Sequence, residues 1–119
     1  MNVEVETLVE SGFIRVTLNG QSGGEGMFDF IDLVRVKADE AGRNRVLMDC
    51  RQFDGNMTEA DRFRGGQRIA AVFGGRLKAA LLMPANQITR LGELTAVNRG
   101  ARFLVTDSET EATDWLLGS

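Results

Sequence analysis

Three short stretches hold the residues whose types and spacing could do chemistry: Asp49-Cys50-Arg51, Met83-Pro84-Ala85-Asn86 and Asp107-Ser108. Between them they offer carboxylates, a thiol, a guanidinium, an amide and a hydroxyl, so acid–base, nucleophilic and anion-binding chemistry all have to be weighed. What the chain lacks removes much of that range. It has no histidine and no tyrosine, hence no Ser-His or Cys-His nucleophilic pair and no histidine zinc ligand. Nor has it a histidine to titrate unperturbed near neutral pH. The single cysteine, Cys50, allows no internal disulfide and is too few for a cysteine-based metal site. It closes an apolar run, where an inert buried thiol is expected. Asp49 and Asp107 could pair as carboxylates, but loop capping and salt bridges to Arg51 or Arg99 explain them more simply. Gly65-Gly66 and Gly74-Gly75 lack the spacing and the Lys-Ser/Thr of a phosphate cradle, which argues against a nucleotide site. No catalytic residue, metal or cofactor is expected.

Charge adds one further feature. The net charge is −3 over 119 residues, but residues 1–40 hold eight acids against three bases. Residues 62–92 hold six bases (Arg62, Arg64, Arg68, Arg76, Lys78, Arg90) and no acid. Solvated helix faces explain such arginines most simply; the functional alternative is a basic face for an anionic ligand or partner. A pI near 5.0 argues against general nucleic-acid binding. No apolar run approaches the ~18 residues of a membrane span, and the N-terminus is acidic where a signal peptide would be basic and then apolar. A cytoplasmic protein without membrane insertion is expected.

The elements that position these residues follow from periodicity. Val3–Val9 alternates, with Val3, Val5, Thr7 and Val9 on one face and Glu4, Glu6 and Glu10 on the other. Ser11-Gly12 marks a turn and Phe13–Leu18 alternates again, so an antiparallel hairpin is expected. Asn19–Gly24 has loop composition. Met27, Phe30, Ile31, Val34, Ala38 and Ala41 form the buried stripe of a helix from about Glu25 to Ala41, closed by Gly42. Phe28 and Val36, off that stripe, would place apolar area on an outer face. Arg45–Cys50, Leu77–Met83 and Ala101–Thr106 are short runs, two of them almost wholly apolar, as in strands buried on both faces. Each gap between them holds one helix, which implies parallel strands. The second helix starts at the cap Thr58 and turns Ala60, Phe63, Ala70 and Phe73 inward, with Gly65-Gly66 allowing close approach to the sheet. The third takes Asn86 as its cap and buries Ile88, Leu91, Thr95 and Ala96. Ser108-x-x-Glu111 is a capping box opening a terminal helix that packs Ala112, Trp115 and Leu116. The expected fold is α/β: one domain over 1–119, a mixed sheet of about five strands, an N-terminal antiparallel hairpin, then parallel β-α units with helices covering the sheet.

This order of elements, with the phrases RVLMDCRQFDGNMTEADRF, LKAALLMP and NRGARFLVTDSETEATDWL, resembles the SpoIIAA-like family. That family lies in the superfamily of STAS domains (anti-sigma-factor antagonists) and SEC14-type (CRAL-TRIO) lipid carriers. The resemblance implies a regulatory module that binds a protein partner, itself as a homodimer included. Phospho-regulated STAS domains place a phosphorylatable Ser directly after an Asp at the start of the helix following the strand at 45–50. Here that stretch reads Asp54-Gly55-Asn56-Met57-Thr58, without an Asp-Ser pair, and Thr58 is the nearest hydroxyl.

In an open parallel sheet, ligands bind beyond the carboxyl ends of the strands, next to helix N-termini that favour anions. Arg51, Asn56, Thr58, Arg64, Arg68, Asn86 and Ser108 are therefore the candidate contacts for a ligand or partner. Three functions compete: a non-catalytic STAS-like interaction module, a small carrier of an apolar or amphiphilic anion, and a carboxylate- or arginine-based enzyme. The carrier needs several hundred Å³ of enclosed space.

Overall fold

The computed structural model describes residues 2–118, apart from the side chains of Asn2, Val3 and Ser22. Val3's place on the apolar face of the hairpin thus lies outside the described residues. Among those described are six strands: β1 (Asn2–Glu10), β2 (Phe13–Ser22), β3 (Arg45–Asp49), β4 (Phe53–Gly55), β5 (Lys78–Leu82) and β6 (Arg102–Thr106). The four α-helices are α1 (Gly24–Ala41), α2 (Glu59–Phe73), α3 (Leu91–Asn98) and α4 (Glu109–Leu117).

The sheet order is β1-β2-β3-β5-β6, with β4 beside β2. β1 and β2 are antiparallel, in unbroken register from Asn2 opposite Gln21 to Glu10 opposite Phe13. Every later pairing is parallel. The order advances in one direction, so right-handed crossovers put α1, α2 and α3 on the same face. There Ile14, Val16, Val46, Met48, Ala79 and Leu81 meet Phe30, Ile31, Val34, Ile69 and Phe73 in the main core. On the other face α4 packs Ala112 and Leu116, with Trp115 half-buried beside them, against Phe13, Leu47, Ala80 and Leu82.

The loop expected over Asn19–Gly24 is not one: β2 runs to Ser22 because its last residues have β1 on one side and β4 on the other. β4 continues the line of β3. Thr17 pairs with Asp49 and Gly20 with Phe53, so Cys50-Arg51-Gln52 lie opposite Leu18-Asn19. One extra residue interrupts the ladder as a bulge does, and it turns Arg51 back towards Asp49.

The largest departure is the facing of α2. Ala60 and Phe63 point to solvent and Ala70 is half-buried, while Gly65, Gly66, Ile69 and Phe73 are buried. A Cβ on Gly66 would sit 2.5 Å from the Gly92 carbonyl oxygen and 2.7 Å from Thr95 Cβ. The glycine thus permits close approach to α3, a helix, and not to the sheet. Gly65 faces Phe28, whose Cε1 lies 3.9 Å from the position of a Cβ there. Phe28 is accordingly half-buried over α2, leaving Val36 as the exposed residue of the pair.

Two caps differ from expectation. Asn86 sits exposed in a 3-10 turn (Ala85–Gln87), and α3 begins later, behind Arg90 in a left-handed conformation with φ 68°. Pro84 starts that turn, and Arg90 is held by donating to the Val105 carbonyl at 2.7 Å. Ile88 therefore lies outside α3, half-buried. Ser108 does cap α4, accepting from the Glu111 N–H at 3.1 Å. Its own N–H donates to Thr106 Oγ1 at 3.1 Å, and so the reciprocal half of the expected box goes to the preceding strand.

Candidate functional site

At the carboxyl ends of the strands, the face under α4 carries an ionic network. Arg51 grips Asp49 with two side-chain bonds, Nε to Oδ1 at 3.0 Å and Nη2 to Oδ2 at 2.7 Å, and reaches Glu109 at 2.8 Å. Arg15, from β2, donates to Glu10 at 2.7 Å, Asp49 at 3.2 Å and Glu109 at 2.9 Å. The sequence signal for Arg15 was a lone cation on an alternating strand, opposite apolar residues; only the fold shows that it joins β1, β3 and α4. Burial pushes the Asp49 carboxyl up, but the bonds from Arg51 and the charges of Arg51 and Arg15 outweigh it and hold it below the ordinary range. The bond from Arg15, with Arg51's behind it, lowers Glu109 as well. Carboxylates held ionised this way are poor proton donors at neutral pH. Asp107 is exposed and takes no part in this network, so the Asp49–Asp107 pair does not form. Burial raises the Cys50 thiol far above its usual value, in keeping with an inert interior residue.

On the opposite face, at the start of α2, Thr58 makes a full capping box: its Oγ1 accepts from the Asp61 N–H, and its N–H donates to Asp61 Oδ2, each at 3.0 Å. A phosphoryl group on Thr58 would displace Asp61 and meet two first-turn carboxylates, Glu59 and Asp61, where repulsion opposes it. Replacing Thr58 with alanine is expected to cost about 1 kcal/mol by urea denaturation, the usual worth of an N-cap. Asn56 lies exposed just ahead of this cap.

The basic residues of 62–92 do not form one face. Arg62 donates to the Gln87 carbonyl at 2.7 Å, Arg68 pairs with Asp32 of α1, and Arg90 bonds Glu93 at 3.0 Å. Lys78 is buried, its ammonium 4.6 Å from the Trp115 ring centroid and bonded to the Trp115 carbonyl at the end of α4. Arg64 stays largely free, its side chain 62% exposed with Asp61 at 3.8 Å.

Between α1, α2, α3 and the sheet lies an apolar cavity of about 60 Å³, bordered by Met27, Met48, Met57 and Met83. A small-molecule site usually measures ~300–1,000 Å³. This cavity is far below what a lipid carrier needs, and the larger hollow of about 550 Å³ between Asp39, Arg43, Asn44 and Arg76 is open and mostly polar, unsuited to an apolar chain. The strand order also never reverses, so the sheet has no switch-point crevice of the kind that opens between diverging crossovers.

The solvent stripe of α2 carries Ala60, Phe63, Arg64, Arg68 and Ala71 at helical spacing; Leu8, Val9, Val36, Leu94, Val97 and Leu117 are exposed elsewhere. Phe63 is 40% exposed, and the Arg99 guanidinium lies 5.4 Å from its ring centroid. The structure thus brings Asn56, Thr58, Arg64 and Arg68 onto or beside α2. Arg51 and Ser108 lie with the α4 network, and Asn86 stands apart in the 3-10 turn. Phe63 was missed as a surface residue because an apolar residue at core spacing reads as core; Arg99, expected to pair with a loop carboxylate, lies over its ring instead.

No family model matches the chain, and no curated protein matches it. Solved structures do. A DUF3478-family protein with a SpoIIAA-like fold from Shewanella loihica PV-4 aligns at 14% identity and a TM-score of 0.58, over 96% of this chain and 93% of that one. The phosphorylated form of the Bacillus cell-fate determinant SpoIIAA aligns at 15% identity and 0.48, over 95% and 97%. The anti-sigma factor antagonist SpoIIAA, unphosphorylated, aligns at 15% and 0.47, over 99% and 100%. The first of these likenesses, together with the sheet order, shows an architecture and no more: the chain has a SpoIIAA-like fold.

Proposed function

We propose that the chain is a non-catalytic regulatory module that binds a protein partner through the solvent stripe of α2. The carrying observation is that Phe63, at core spacing, stands 40% exposed on a helix whose opposite side is already packed. Aromatic and arginine side chains are the types enriched where proteins bind one another. Phe63 is the anchor, Arg64 supplies a cationic contact on the same stripe, Arg68 lies there already paired with Asp32, and Asn56 and Thr58 extend the surface at the N-terminal end of the helix. The matching partner surface is an acidic patch around an apolar pocket. A second copy of this chain is the competing occupant.

The test compares wild type with the double variant Phe63→Ser, Arg64→Glu in affinity capture from a native extract, with light scattering alongside. Arg64 is exposed, while Phe63 is more than half covered and carries Arg99 over its ring, so thermal unfolding of both proteins is recorded and capture is compared well below both midpoints. A heterologous protein held by wild type and lost by the variant is the expected result. Identical capture profiles for the two proteins would refute the assignment to α2. A dimer abolished by the variant would replace the heterologous partner with self-association.

A further inference from the structure

We propose that the free edge of β1 accepts an extended segment of a partner protein as an additional strand, and that this segment carries basic side chains at alternate positions facing Glu4 and Glu6. The two edges of the sheet are unlike. At the β6 edge, the Val105 N–H donates to Glu93 at 2.6 Å and its carbonyl accepts from Arg90 at 2.7 Å, so side chains close the strand to further pairing. The β1 edge has no such closure among the described residues. It is nine residues long, pairs one-to-one with β2 without a bulge, and contains no proline or lysine. Short length, bulges, proline and lysine are the devices that usually blunt an edge.

The side chains narrow what can bind there. Leu8 is 58% and Val9 55% exposed, one on each face. Glu4 and Glu6 are exposed and, among the described residues, have no ion-pair partner; their cross-strand neighbours on β2 are the uncharged Asn19 and Thr17. Glu10, by contrast, is held by Arg15. A second copy is a poor occupant. Antiparallel pairing of two β1 strands with continuous faces puts glutamates opposite one another whether it centres on Val5, Glu6 or Thr7, and like charges directly opposite are destabilising. A segment with cations at two alternate positions and an apolar residue at the next meets Glu4, Glu6 and Leu8 in turn. Main-chain bonds then supply affinity and the side-chain pairs supply selectivity.

This surface is separate from α2, and the test keeps the two apart. The probe is a capped peptide in which valines alternate with lysine, lysine and leucine, with glutamates replacing the lysines as control, titrated into the full chain while backbone amide shifts and hydrogen exchange are followed. The expected result is protection and shifts confined to β1 and the adjoining β2, weakened by salt and not given by the glutamate peptide. Glu4→Lys with Glu6→Lys should weaken binding about tenfold, while Arg64→Glu leaves it unchanged. Equal binding of both peptides, binding unaffected by the two lysine substitutions, or perturbation centred away from β1 would each overturn the proposal. A dimer with β1 protected in the absence of peptide would overturn it in favour of a second copy.

Discussion

Substituting alanine at the adjacent glycines Gly65 and Gly66 is expected to move stability in opposite directions. At Gly66 the new Cβ would lie 2.5 Å from a backbone oxygen, that of Gly92, which cannot rotate away as a side-chain end could. α2 and α3 would have to separate. Overpacking of this kind costs about 1–3 kcal/mol, and the roughly 1 kcal/mol that alanine gains over glycine within a helix only partly offsets it. At Gly65 the nearest atom, Phe28 Cε1, would be 3.9 Å away, an ordinary contact. The helix-propensity gain is then unopposed, and the protein should be stabilised by up to about 1 kcal/mol. Urea denaturation of the two variants decides: if both shift the same way, α2 is not seated on α3 as described.

Arg15→Met is expected to be the most damaging single loss of charge, at about 2 kcal/mol at pH 7. Removing one member of a well-buried ion pair costs about 3–5 kcal/mol. The value here is reduced because Glu109, one of the three carboxylates involved, has a side chain 42% exposed. The variant leaves Glu10 without its cation, and Asp49 and Glu109 with Arg51 alone. The pH dependence identifies the mechanism. Asp49 and Glu109 titrate lower in the folded chain than in the unfolded one. Their contribution is therefore complete above the ordinary carboxylate range, about pH 5 and upward, and disappears as pH falls through their folded values. With Arg15 gone, those folded values rise towards the unfolded ones. The gap between wild type and variant should be widest near neutrality and narrow in acid. A gap independent of pH would mean that packing, and not charge, is what Arg15 supplies.

The residues themselves disclosed much of the architecture. The short runs at 45–50, 77–83 and 101–106, two of them almost wholly apolar, required strands covered by helices. The gaps between them required helical crossovers, and the alternation on either side of Ser11-Gly12 required a hairpin. All three requirements are met in the sheet. Thr58 and Ser108 were legible as caps because a hydroxyl placed before a periodic segment satisfies local backbone donors, whatever the rest of the chain does. β4 was not legible: a three-residue strand exists only because the end of β2 lies beside it. Asn86 misled because Pro84 and the left-handed Arg90 defer the start of α3.

The candidate surface divides in the same way. Arg64, Arg68, Asn56 and Thr58 could be named from type and position, whereas the exposure of Phe63 could not. Periodicity fixes which residues of a helix share a stripe, but for α2 two stripes were apolar enough to face inward. Only packing against α3, where Gly66 meets Gly92 and Thr95, chose the glycine stripe and left Phe63 to the solvent. Local pattern determined the elements, their order and their caps, since those depend on neighbours along the chain. Tertiary contact decided which helix face is buried, which edge of the sheet stays open and which charges meet, since each depends on residues far apart in sequence.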